Sequence, residues 1–201
     1  ALTGYYQETF LGTYAELGFL PRLDATVHWS PVRTFLLVDP VDGPTFAVST
    51  GEPAVGLKWQ PVQAGRFALA VEGVLRAPAE SNAPVAVVHS ATTEEAVGAL
   101  TVATGVFEAQ LGLSFGLGFD RLYLAWGASA MKRGGGFDSV LQWSVEGGTD
   151  VGKQKRWSLR LRIAGRHGLR DGTAPYHESP SGMGNGTEYV AFTLEGDCRL
   201  G

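Results

Sequence analysis

After its first apolar-alternating segment, the chain's connections run short, long, short, long to the end. The short links lie near Leu20-Pro21-Arg22, Pro61 to Gly65, Gly118-Phe119-Asp120 and Thr149 to Lys155. The long ones lie near Asp39 to Pro53, Pro78 to Ala103 and Gly168 to Gly186, and one link in a long-loop position, Lys132 to Gly136, is short and glycine-rich. Tight turns on one side of a meander and long loops on the other are the sequence habit of transmembrane barrels. The expected fold is therefore all-β, an antiparallel up-and-down transmembrane β-barrel formed by residues 1–201 as one domain.

Nine strands are expected: Tyr5–Phe19, Leu23–Leu37, Pro53–Gln60, Arg66–Ala77, Gly105–Gly118, Arg121–Met131, Phe137–Gly148, Arg156–His167 and Thr187–Cys198. Most are longer than the usual soluble strand and match the roughly 9–11 tilted residues that cross a bilayer. Side chains alternate between the faces of a strand, and here the period is clean. Leu23, Ala25, Val27 and Trp29 oppose Asp24, Thr26, His28 and Ser30, while Leu111, Leu113, Phe115 and Leu117 oppose Gln110, Gly112, Ser114 and Gly116. A soluble sandwich or lipocalin-like barrel also alternates, with its apolar face inward. Strand length, loop asymmetry and aromatic residues at strand ends (Tyr5, Tyr6, Trp29, Trp59, Trp157, Tyr189) favour the membrane version. The helical pattern is weak everywhere. The best candidate is Thr92–Thr101, where threonines precede paired glutamates inside a long loop.

Composition removes other classes. No uninterrupted apolar run approaches the roughly 18 residues of a membrane helix. A net charge of −4 argues against a nucleic-acid partner. The single cysteine, Cys198, leaves no internal disulfide. The absence of a signal pattern at Ala1 implies that one was removed or that the chain is a piece of a longer one. Parity points the same way, because nine strands with ends on opposite sides do not suit an even-stranded bacterial barrel. The chain also ends without a terminal aromatic strand. The expectation is a segment of a barrel of about 10–12 strands, missing one or more at one or both ends.

The first hairpin, Thr13 to Arg33 (TYAELGFLPRLDATVHWSPVR), resembles that of a family of proteobacterial outer-membrane proteins, the phenol-degradation meta-pathway transporter-like family. Glu52 to Ala77, Val106 to Gly148 and Gly168 to Tyr189 continue the likeness, with Leu17 where the family has its second tyrosine and Leu20-Pro21 where it has threonine-aspartate. The resemblance implies an outer-membrane barrel with a role in small-molecule transport and leaves the solute open.

No catalytic motif is present: there is no Gly-x-Ser-x-Gly, no phosphate loop and no paired-cysteine metal motif. His28, His89, His167 and His177 are scattered, and no metal, cofactor or enzymatic activity is expected. What the polar faces carry is charge. Arg156, Arg160, Arg162 and Arg166 form a ladder on the eighth strand, and Arg76 lies on the fourth. Glu16, Asp24, Glu72, Glu108, Asp138 and Glu146 face the same way. A mid-bilayer arginine on the lipid face of a barrel costs roughly 2–4 kcal/mol, so the ladder is expected inside. In a narrow barrel these groups fill the lumen with ion pairs; in a wide one they line opposite walls and set a transverse field.

Two functions from different classes follow. One is passive transport or uptake of small molecules across the outer membrane, with lipid and lipopolysaccharide as surroundings. The other is a non-conducting anchor or assembly partner that presents the 79–104 segment to other envelope proteins. That segment is apolar at Val85-Ala86-Val87-Val88 and uncharged from Ser81 to Thr93, so it is expected to be ordered.

Overall fold

The computed structural model describes residues 5–39, 41–79, 84–89, 96–101, 105–151, 157–173 and 188–198. The chain is all-β, and nine strands form one antiparallel meander: β1 (Tyr5–Leu20), β2 (Leu23–Asp39), β4 (Ala54–Ala64), β5 (Phe67–Arg76), β8 (Glu108–Gly118), β9 (Leu122–Arg133), β10 (Val140–Val151), β11 (Trp157–Gly168) and β12 (Tyr189–Cys198). Each pairs with its neighbour in that order. Among the described residues no helix is long and apolar enough to cross a membrane.

Three further strands occupy two of the long links. β3 (Gly43–Ser49) turns back on β2 and pairs with Arg33–Asp39, so β2 serves β4 with one half and β3 with the other. β6 (Pro84–His89) and β7 (Ala96–Thr101) form a separate hairpin. The expected helix over Thr92–Thr101 is thus overturned from Ala96 onward, while Thr92–Glu95 lie outside the described residues. Pairing decides the outcome there, because Ala96–Thr101 finds a strand partner in Pro84–His89.

The turns follow their residues. Leu20 pairs with Leu23 around Pro21-Arg22, with Arg22 at φ 67°. Proline followed by a positive φ suits a type II turn. A bulge sits near Pro31, where Leu11 opposes Val32 but Thr13 opposes Trp29, leaving one extra residue on β2. Proline cannot donate to the ladder, which is why it is accommodated there. The extra residue reverses the face of β2. Below it Asp24, Thr26 and His28 share the face of Glu16; above it Arg33, Phe35, Leu37 and Asp39 take that face.

Exposure along the strands runs opposite to that of a soluble sandwich. On β4, Val55, Leu57 and Trp59 are exposed while Gly56, Lys58 and Gln60 are half-buried. The same holds for Leu111 on β8, Leu159 and Leu161 on β11, and Phe192 on β12, which is 73% exposed. The wall curls around its polar side. The buried apolar cluster is small and lies at the long-loop end, where Phe35 and Leu37 pack against Ala47 of β3 and Ala86 of β6.

Both edges of the wall are open: among the described residues, β1 pairs only with β2, and β12 only with β11. Eight antiparallel steps separate them, so β1 and β12 run in the same direction.

Candidate functional site

The inner face is organised by register. Residues directly opposite in an antiparallel pair share a face, and the pairing sets charges of opposite sign beside one another. On β1 and β2, Arg33 reaches Glu8 through Nε and Nη2 at 2.9 and 2.6 Å. Toward the short-turn end, Glu16 accepts hydrogen bonds from the Tyr14 hydroxyl and from Lys58 Nζ, the latter at 2.9 Å. Lys58 itself stands opposite Asp24 on β2 and Glu72 on β5. This gathers three of the expected carboxylates, Glu16, Asp24 and Glu72, around a lysine that the sequence reading passed over. The signal was present, since Lys58 alternates with Leu57 and Trp59.

A second cluster lies at the long-loop end. Arg76 Nη1 contacts Glu108 Oε2 at 2.6 Å, and Glu108 is only 4% exposed. Opposite Glu108 on β9 is Arg133, whose Nε donates to the Asp138 main-chain oxygen at 2.9 Å and whose guanidinium lies over the Phe137 ring. Asp138 requires a correction. It was expected on the polar face of a strand, but β10 begins at Val140, and Asp138 sits fully buried in the preceding turn. There its Oδ1 accepts the Gly172 amide at 2.8 Å. Its work is to tie the β9–β10 link to the segment after β11. Asp171 does the same from the other side. It accepts from the Ser139 amide and hydroxyl at 2.6 and 2.7 Å. These bonds, with Lys132 alongside, hold its carboxyl down at about 2.

The arginine ladder faces the same interior. Arg160 stands opposite Glu195 of β12 and pairs with it at 3.3 Å. Arg162 stands opposite Glu146, and Arg166 is flanked by Gln142 and Tyr189. Arg156 lies outside the described residues. Glu146 is engaged by the Tyr123 hydroxyl at 2.5 Å rather than by Arg162. Arg162 is exposed on the concave side and, among the described residues, forms no hydrogen bond or ion pair. Glu8, Arg33, Arg133, Tyr123 and Glu195 were not foreseen. Glu195 alternates with Leu194 and Phe192 and was readable, as was Glu8, which shares the parity of Glu16 on β1; Arg33 was hidden by the Pro31 bulge.

Between these clusters the inner face is lined by small residues. Ala70, Ser114, Gly127, Ser144, Ala164 and Ala191 form one continuous row across β5 to β12. With little side-chain volume projecting inward, a polar cleft of about 340 Å³ remains, bounded by Glu72 on one side and Arg162 on the other.

The β6–β7 hairpin folds back at the long-loop end. Asp39 holds it: Oδ2 accepts the His89 amide at 2.7 Å, and Oδ1 accepts the amides of Val41 and Asp42 at 2.9 and 3.0 Å. Burial alone would raise this carboxyl, but the three backbone donors outweigh it and hold it at about 2. Asp39, Asp42 and His89 bring possible ligand atoms within 4.8 Å of one another. With both Asp39 oxygens already accepting amide hydrogens, the cluster reads as a clamp between hairpins.

No protein-family model matches this chain, and neither does any curated protein sequence.

Proposed function

We propose that the chain forms most of the wall of a β-barrel in the outer membrane of a Gram-negative bacterium, and that its concave face conducts small polar molecules by passive transport. The observation that carries this reading is the continuous exposed apolar face. Leucines, valines and aromatics stand exposed on successive strands, and Leu17, Leu57, Leu111, Leu161 and Phe192 are each more than half exposed. Soluble monomers rarely leave an apolar patch of more than a few hundred Å² uncovered, whereas lipid and lipopolysaccharide would cover this one without cost. The low side-chain volume of the inner row supports an open lumen over a filled one. The resemblance of the Thr13–Arg33 hairpin agrees with this reading.

Since β1 and β12 run in the same direction, antiparallel closure takes an odd number of further strands between them. One or three would give the 10–12 strands of a small barrel.

The test is conductance of the full-length natural protein in a planar lipid bilayer. Stable ion-conducting steps are expected, and Arg160→Ala should shift selectivity toward cations. A folded, inserted protein with no conductance would overturn the transport reading in favour of a barrel that anchors or assembles other envelope proteins.

A further inference from the structure

The 340 Å³ cleft has a chemistry of its own. Of the three β11 arginines within the described residues, Arg160 is paired with Glu195, and Arg166 is largely shielded by its neighbours. Arg162 differs from both, being exposed and without a partner among the described residues, and it opens on the cleft. Its cross-strand neighbour Glu146 is occupied by Tyr123. A guanidinium presents a planar fork matched to a carboxylate, which it binds bidentately. Apart from Glu72, the other polar side chains that line the cleft are neutral. Ser114, Ser129, Ser144, Gln110 and Gln142 supply hydroxyls and amides, and Gln110 already donates to Ser129 at 2.9 Å. Gly112 and Gly127 supply no side chain, so a ligand can approach the strands closely. The far side is closed by Glu72, a carboxylate that accepts hydrogen bonds and repels a second anion.

From this arrangement we infer that the cleft is a binding subsite for hydroxylated monocarboxylates of the sugar-acid class. Arg162 holds the carboxylate, the serine and glutamine side chains hold the hydroxyl chain, and Glu72 excludes dicarboxylates. This rests on the concave face being a solute path, but binding can be read without conduction.

The experiment is isothermal titration of the detergent-solubilised full-length protein with gluconate, glucose and glucarate. Saturable gluconate binding is expected, with glucose and glucarate each at least about tenfold weaker. Arg162→Gln should weaken gluconate about tenfold or more, with Arg162→Lys intermediate. Glu72→Gln should bring glucarate to the level of gluconate. The strand content of each variant, read by circular dichroism, should match the parent, because Arg162 supports no other described side chain. Gluconate binding no tighter than glucose in the unaltered protein would overturn the inference. So would an unchanged gluconate affinity in a folded Arg162→Gln variant. Neither result touches conductance, so the subsite can fail while the channel stands, and the reverse.

Discussion

The Thr26 hydroxyl donates to the Glu72 carboxylate at 3.3 Å across the full width of β4, which runs between their two strands. The passage exists because the residue between them is Gly56. A Cβ on Gly56 would lie 2.5 Å from Thr26 Oγ1 and 3.0 Å from the Gly73 carbonyl oxygen. The curl of the wall and the absence of one side chain together let strands two places apart share a hydrogen bond on the inner face.

Gly56→Ala should therefore destabilise the fold by about 1–3 kcal/mol, the usual range for forcing volume into a packed site. Thr26→Ala in the same background should recover part of that loss, since it removes the nearest obstacle. Denaturant unfolding of the two single variants and the double variant gives the coupling energy. Strictly additive effects would contradict the contact.

The Arg76–Glu108 pair is asymmetric, with Glu108 buried and Arg76 partly open to the lumen. Glu108→Ala should cost about 2–3 kcal/mol, below the roughly 3–5 of a fully buried pair because Arg76 retains some water. Arg133, directly across from Glu108, loses its neighbouring carboxylate as well. The double change Arg76→Met, Glu108→Leu should cost less than the sum of the single changes. Equilibrium unfolding in detergent measures all three.

The Asp39 clamp predicts a pH dependence confined to the long-loop end. A carboxyl lowered from 3.8 to about 2 in the folded protein adds stability that is complete above the unfolded value and is lost as pH falls through the folded one. Docking of the β6–β7 hairpin should weaken between about pH 4 and pH 2 while the meander keeps its strands. Asp39→Asn should mimic the acid state at neutral pH. Hydrogen exchange at the His89 amide, which donates to Asp39, should accelerate in the variant, while amides of β10 and β11 stay protected.

The meander was legible because apolar and polar residues alternate without interruption along stretches such as Leu111–Leu117 and Trp157–Ile163, and no helical period competes there. Its inner face was legible for the same reason. Once Leu159 and Leu161 are placed outside, Arg160 and Arg162 have only one side left. Features that depend on pairing across the sequence were not legible. A single added residue at Pro31 moves Phe35, Leu37 and Asp39 to the inner face, which alternation read through that point cannot anticipate. β3 is seven residues in a stretch rich in proline and glycine, and its strand character comes from the overhanging half of β2. Residues Ala96–Thr101 carry no strand alternation of their own and become a strand against Pro84–His89. Asp138 follows a glycine run, and a tertiary hydrogen bond from Gly172 makes it a tie between loops.

The central claim is that the apolar face meets lipid and the polar face meets water. Fluorophores attached singly at Leu111, Gly112, Leu113 and Ser114 sample both faces of β8 within four consecutive positions. In lipid vesicles, a quencher confined to the acyl chains should dim the labels at Leu111 and Leu113. A water-soluble quencher should dim those at Gly112 and Ser114. An equal response of all four labels to both quenchers, or the reverse alternation, would contradict the account.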